Sequence, residues 1–255
     1  MPKYTPYARY YDLAHATKKD VPFYLDYAAQ CGGPLLELAC GTGRLILPLA
    51  EAGCQITGLD LCEDMLAVCR AKVAEHGLSD RVTLTQGDMS SFELPSKDFA
   101  LAYVPLRSFS HLFTQRDQIG CLRCTANHLR AGGTLIVTTF APYYQVLAQE
   151  HEGEDIKRRE FTMPDGNSVV QWERFIRNDV ARQILHFCFR FEERDRFGDL
   201  VNTVEVPMDM RYTFRYELQL LFEKAGFEVT DVFRDYERGP YDGTGEIIMV
   251  GRKLI

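Results

Sequence analysis

The chain has 255 residues, of which 46% are hydrophobic and 25% charged, so it can bury a sizeable core and has room for one α/β domain with an insertion. Its formal net charge of -7 disfavours a polyanionic partner such as nucleic acid, and no stretch is apolar enough to cross a bilayer. The opening segment "MPKYTPYARYYDLAHATKKD" mixes tyrosines with charges and lacks the apolar centre of a signal peptide, so a cytoplasmic protein is expected.

"PLLELA" (34–39) is a short apolar run ending in a glycine turn, as in a buried parallel strand. "RLILPLAEAG" reads as a helix with Pro48 near its first turn and Gly53 as its stop. "QITGLD" is a second strand ending in Asp60, "CEDMLAVCRAKVAEHG" an amphipathic helix, and "RVTLTQGDM" and "FALAYVPL" two further strands. Thr114, with Asp117 three residues on, caps a helix that carries both Cys121 and Cys124, and "GTLIVTTF" is the fifth strand. The remaining cysteines, Cys31, Cys40, Cys54, Cys62, Cys69 and Cys188, show no disulfide framework or zinc-ligand spacing, so reduced thiols and no metal are expected.

After Phe140 the periodicity changes from helical to alternating. "NSVVQWERFIRND", "RQILHFCFRFEERD" and "DLVNTVEVPMDMRY" predict an antiparallel sheet, with Leu185, Phe187, Phe189 and Phe191 on one face and Arg182, His186 and Arg190 on the other. The helix "FRYELQLLFEKAG" and the strands "FEVTDVFRDY" and "GEIIMVGRK" then restore the first pattern. The expected architecture is a doubly wound, Rossmann-like α/β sheet from residues 1–141 and 213–255. Residues 142–212 are expected to form an inserted antiparallel β cap over the cleft, or a homodimer interface.

In such a sheet, ligands bind at the carboxyl ends of the strands near the switch point, where "LLELACGTGRL" places its turn. Gly41 and Gly43 allow close backbone approach, and Asp60 at the next strand end suits ribose hydroxyls, so a nucleotide-like cofactor is expected. A dinucleotide fingerprint would need a third glycine where Ile46 stands, which disfavours hydride chemistry.

The segments resemble, in order from about residue 30 to residue 140, those of the class I S-adenosylmethionine-dependent methyltransferases. "ELACGTG", Glu37 to Gly43, looks like the family's first motif, with Ala39 in place of the usual first glycine. "GLDLCEDML" and "GDM" resemble its second and third segments, and "LRAGGTLIVTTF" the approach to its fifth strand. The resemblance implies that Asp60 holds the ribose, Leu61 packs on adenine, the Asp88 side chain reaches the adenine amino group and the Met89 backbone reaches the ring. The full cofactor set that it implies is Tyr11, Glu37, Ala39, Cys40, Gly41, Gly43, Arg44, Asp60, Leu61, Met65, Asp88, Met89 and Tyr103. Tyr11 would close over the cofactor from the N-terminal segment, adding cation–π attraction to the sulfonium, and Arg44 would approach its carboxylate.

The chemistry implied is in-line displacement of a methyl group from S-adenosylmethionine, leaving S-adenosylhomocysteine. It depends on positioning and desolvation more than on covalent help. His111 in "LRSFSHLF" is the candidate catalytic base or substrate contact, on the cleft side where the family's acceptor enters; sugar-amine N-methyltransferases show a similar serine-rich segment there. "AYVPLRSF" lacks the acidic or Asn residue, Pro-Pro and aromatic of the amino-methylating DNA enzymes, so a small molecule accepting through N or O is expected. Trp172 and the Phe187 to Phe191 stripe are candidates to line its pocket, and Arg174, Arg190 or Arg211 to bind an anionic part of it. A non-catalytic protein that kept the cofactor fold is the alternative.

Overall fold

The computed structural model describes residues 5–143, 147–148 and 152–254; positions 144–146 and 149–151, inside the expected insertion, and the first four residues of the tyrosine-rich segment lie outside the described residues. The chain divides into two compact units, Met1–Lys18 with Tyr144–Arg211, and Lys19–Tyr143 with Tyr212–Ile255. The N-terminal segment therefore groups with the inserted sheet rather than with the doubly wound fold to which the sequence pattern assigned it. The cause is aromatic: on helix α1 (Ala8–Ala14) Tyr10 stacks on Phe191 with ring centroids 5.0 Å apart, and the preceding Tyr7 lies 5.2 Å from the same ring. Burial of such rings outweighs proximity in sequence.

The larger unit begins with α2 (Val21–Cys31) and then alternates β1 (Leu35–Leu38), α3 (Ile46–Glu51), β2 (Ile56–Asp60), α4 (Glu63–Glu75), β3 (Val82–Gln86), β4 (Phe99–Val104), α5 (Gln115–His128) and β5 (Leu129–Phe140). After the insertion it closes with α6 (Arg215–Lys224), β10 (Phe227–Phe233) and β11 (Glu246–Lys253). The seven strands run in the order β10-β11-β5-β4-β1-β2-β3, with β11 antiparallel to both of its neighbours. Strands β1 and β4 are buried along their whole length, as the near-continuous apolar runs of central parallel strands require. Leu36, Leu38, Ala102 and Val104 belong to the core shared with α5 and α6, while Leu35, Leu101 and Tyr103 belong to the one shared with α2, α3 and α4.

Local signals act as expected. Pro48 is the third residue of α3, and Thr114 caps α5 by accepting the Asp117 N–H at 3.1 Å. Strand β5 starts at Leu129, four residues before the expected glycine boundary. Its register against β4 shifts between Phe99 and Leu101, and Gly132, with φ of 70°, absorbs the irregularity. Cys121 and Cys124 lie within α5, and among the described residues no three metal-capable side chains cluster.

The smaller unit contains an antiparallel sheet in the order β6-β7-β8-β9, formed by Asp155–Thr162, Ser168–Asp179, Ile184–Arg194 and Leu200–Arg211. Strand β6 has no counterpart in the three predicted strands: as an edge strand with mostly exposed positions, "DIKRREFT" lacks apolar alternation. Arg182 precedes β8 rather than sharing its polar face.

Candidate cofactor site

The turn after β1 lies at the switch point, because β1 is flanked by β2 on one side and β4 on the other. Three residues of "ACGTG" have left-handed backbone: Ala39 (φ 56°), Gly41 (φ 55°) and Gly43 (φ 82°). Ala39 thus adopts, with a Cβ, the conformation that glycine takes more cheaply. At Gly43 a Cβ would stand 2.5 Å from Cys69 Sγ, so both backbone and packing demand glycine there. The Cys40 N–H donates to Leu59 O at 3.1 Å and the Gly43 N–H to Cys40 O at 3.0 Å, tying the turn to β2 and to itself.

Asp60 completes this arrangement. Its Oδ2 accepts the Gly41 N–H at 2.7 Å and its Oδ1 the Cys62 N–H at 2.8 Å, so one carboxylate orders both the glycine turn and the entry to α4. Burial pushes its pKa up, while the backbone donors at Cys62, Gly41 and Leu61 pull it down. A carboxylate has about four lone-pair directions, so these bonds leave acceptor capacity for vicinal hydroxyls. Beside it Leu61, an apolar side chain at a strand end, is 57% exposed. Met65, on α4, is buried.

Asp88 is exposed and folds its side chain into an Asx turn, with Oδ1 accepting the Ser90 N–H at 2.8 Å; Met89 is half-buried against the core. The turn approaches α5 so closely that a Cβ at Gly120 would stand 2.5 Å from Ser90 O. Gly120 thus lets α5 pack closely on the Asp88 turn, a contact that helix periodicity passes over.

Beneath the turn lies a buried polar layer. Glu37 is 2% exposed and accepts the Tyr103 hydroxyl at 3.1 Å; Tyr103 is fully buried. Burial pushes the Glu37 pKa up to about 8, against the pull of Arg44 and the Tyr103 hydrogen bond. Arg44, expected near a ligand carboxylate, instead forms a two-armed buried ion pair with Asp20, one arm being Nη1 to Oδ1 at 2.7 Å. Asp20, just before α2, was not singled out from the sequence: nothing local marks an aspartate 24 residues upstream as a partner. Burial also raises the Cys40 thiol, which excludes it as a nucleophile. Among the expected cofactor residues, Glu37 and Tyr103 thus bond to each other and Arg44 to Asp20, while Cys40 is buried and ties the turn through its backbone.

A one-turn 3-10 helix, Ser108–His111, follows β4 and carries the histidine expected to contact an acceptor. Phe109 is fully buried, Ser110 Oγ lies 2.9 Å from Thr139 Oγ1, and His111 is half-buried at the end of the turn. The other candidates belong to the smaller unit. Tyr11 packs edge-on against Tyr7 at 5.3 Å and lies 4.5 Å from the His15 ring. Phe191 is buried in a core with Tyr7 and Tyr10, and the partly buried Phe187 and Phe189 pack against it, so the stripe serves core packing within the smaller unit. On the opposite face Arg174 and Arg190 share Asp155, at 2.8 Å each, and Arg190 lies over Trp172. Arg211 is buried and reaches Gln183 Oε1 at 3.2 Å.

Residues 35–133 match a family model described as a methyltransferase domain. The "Putative methyltransferase GWCH70_2453" of Geobacillus sp. (strain WCH70) is 46% identical over 231 residues, covering 89% of this chain and 87% of the relative. The dTDP-3-amino-3,4,6-trideoxy-alpha-D-glucopyranose N,N-dimethyltransferase of Streptomyces venezuelae is 28% identical over 201 residues, covering 69% of this chain and 81% of the relative. Among solved structures, that of SAM-bound CalS10, an amino pentose methyltransferase from Micromonospora echinaspora, matches with a TM-score of 0.71 and 20% identity, covering 95% of this chain and 96% of that one.

Proposed function

The chain belongs to the class I S-adenosylmethionine-dependent methyltransferases, and from that premise we propose that it methylates the amino nitrogen of a small-molecule acceptor of the amino-sugar class. S-adenosylmethionine is the cofactor, and when bound it supplies an electrophilic methyl group on a sulfonium. The chain's residues fit it: Asp60 retains acceptor capacity for ribose hydroxyls, the exposed Leu61 offers an apolar surface for adenine, and the left-handed turn brings bare backbone to the ligand.

The observation that carries the acceptor class is the likeness to an amino-sugar N,N-dimethyltransferase, which spans 69% of the chain and so extends beyond the 99-residue methyltransferase match at 35–133. The acidic balance of the chain supports a small acceptor over nucleic acid. In this reading the bound cofactor would supply a methyl group to the lone pair of an amine, with S-adenosylhomocysteine as the other product, and the chain would hold the two partners in line and away from water. An amine protonated at neutral pH must first lose a proton, and His111 is the residue we assign to accept it. The Arg44–Asp20 pair and protonated Glu37 hold the turn without touching the acceptor.

The test is transfer of label from methyl-labelled S-adenosylmethionine to a panel of amino sugars, free and nucleotide-linked, with matched hydroxyl sugars and total RNA alongside. Amine-dependent labelling is expected, with His111→Ala lowering kcat. Equal transfer to the hydroxyl series, or transfer only to RNA, would overturn the assignment.

A further inference from the structure

The residues between β4 and α5 contain an arrangement that helix and strand periodicity does not explain. Leu106 and Arg107 are consecutive non-glycine residues with left-handed backbone, φ 50° and 63°. Left-handed backbone is unfavourable for a residue with a Cβ, so two in succession persist only where neighbouring contacts over-determine them. Those contacts converge on Arg107. Its Nε lies 3.0 and 3.1 Å from the two carboxylate oxygens of Glu246 and its Nη2 2.5 Å from Oε1, and its guanidinium carbon lies 5.7 Å from the centre of the Phe140 ring. Glu246 opens β11 and Phe140 closes β5, and the two are direct partners in the sheet.

The consequence falls on the turn that follows. The Ser108 N–H donates to Pro105 O at 3.0 Å, the Ser110 N–H to Arg107 O at 2.9 Å, and the Leu112 N–H to Phe109 O at 3.1 Å. Arg107 therefore fixes one end of the turn to the β5–β11 pair, while Ser110 fixes its middle to Thr139 of β5. His111 is the last residue of this one-turn element, so its position depends on where Arg107 is held.

The geometry points to Arg107 and Glu246 as positioning residues of the acceptor side: their forked ion pair over Phe140 holds the left-handed entry to Ser108–His111 and so sets the placement of His111. The part concerning the acceptor rests on the function proposed above; the part concerning the turn does not. A forked, two-atom pair has the directional strength that a single-point contact lacks. Lysine at 107 keeps the charge and loses the fork. Glycine at 106 removes strain without touching the pair, and so should preserve the placement of His111.

The test uses the full-length protein with bound S-adenosylhomocysteine. The variants are Glu246→Gln, Arg107→Ala, Arg107→Lys and Leu106→Gly, read by amide hydrogen exchange over residues 106–112 and by the ring signals of the six histidines. Glu246→Gln and Arg107→Ala are expected to speed exchange in 106–112 about tenfold or more and to move the His111 signal alone. Arg107→Lys should give an intermediate effect and Leu106→Gly none, with cofactor affinity within about twofold throughout. Unchanged exchange and an unmoved His111 signal in folded Glu246→Gln and Arg107→Ala would overturn the clamp. With an amine accepted by the wild type, kcat/KM should fall about tenfold or more in Arg107→Ala; unchanged kcat/KM with a loosened turn would overturn the acceptor role alone. Failure of the wild type on every amine would refute the proposed function, while exchange and the His111 signal would still decide the clamp.

Discussion

Replacing Glu37 by glutamine should make the protein more stable at neutral and alkaline pH and leave it little changed in acid. Burial raises the carboxyl from its ordinary 4.5 to about 8, so the folded state holds a proton that the unfolded chain releases. Between those two values the folded state binds more protons than the unfolded one, and stability must therefore fall as pH rises. At about 1.4 kcal/mol for each tenfold change in proton activity, the loss reaches roughly 3 kcal/mol by pH 7 and approaches 5 kcal/mol above pH 8, as an order of magnitude. Glutamine is nearly isosteric with the neutral acid, and its carbonyl can accept the Tyr103 hydroxyl that now lies 3.1 Å from Glu37 Oε2. The assay is urea unfolding of both proteins at intervals from about pH 5 to about pH 9, with the free-energy difference plotted against pH. The advantage of Glu37→Gln should grow by about 1.4 kcal/mol per pH unit up to about pH 8 and then level off. Parallel profiles would refute the reasoning, because they would mean that Glu37 ionises alike in the folded and unfolded chains.

Three further perturbations address the same site. Asp60→Ala should weaken S-adenosylmethionine binding by about tenfold or more, since hydrogen bonds to a charged acceptor are worth about 1.5–3 kcal/mol each; calorimetry within twofold of wild type would remove Asp60 from the site. Arg44→Met strands the buried Asp20 carboxylate and should cost about 3–5 kcal/mol in urea unfolding, most of it recovered in the Asp20→Leu/Arg44→Met double variant. Gly120→Ala would gain about 1 kcal/mol of helix propensity, yet it places a Cβ 2.5 Å from Ser90 O. A lower melting temperature and weaker cofactor binding are expected; a simple stabilisation would show that the Asp88 turn can yield freely.

The doubly wound unit was legible because its signals are short-range: apolar runs of strand length, Thr114 with Asp117, and glycines at helix ends. The doubly wound class followed from alternation, and the closing β10–β11 pair from the return of strand and helix signals, whereas the lateral order of the strands came only with the structure. Where the reading fell short, the missing information was long-range. Nothing in "DIKRREFT" marks β6, because an edge strand with charges along it carries no burial pattern. Tyr7 and Tyr10 looked like part of the first unit until their packing on Phe191, some 180 residues away, assigned them elsewhere. The Phe187 to Phe191 stripe was readable as one face of a strand but not as a face covered by α1.

The site divides along the same line. Gly41, Gly43 and Asp60 are readable because bare backbone and a strand-end carboxylate announce themselves locally, whereas the Asp20–Arg44 pair joins residues that only the folded sheet brings together. Backbone strain is the harder case. Left-handed backbone is signalled in a sequence by glycine, yet Ala39 after β1 and Leu106 and Arg107 after β4 adopt it without that signal. All three stand at the carboxyl ends of the two adjacent strands that bound the switch point. Local preference is overridden there because tertiary contacts hold the chain: the Asp60 carboxylate fastens the first turn through Gly41, and the Glu246 fork fastens the second through Arg107. Gln183 and Arg238 share this backbone elsewhere in the chain, so strain alone is no signpost; in the proposed reaction it matters at these two strand ends because one turn would meet the cofactor and the other carries His111.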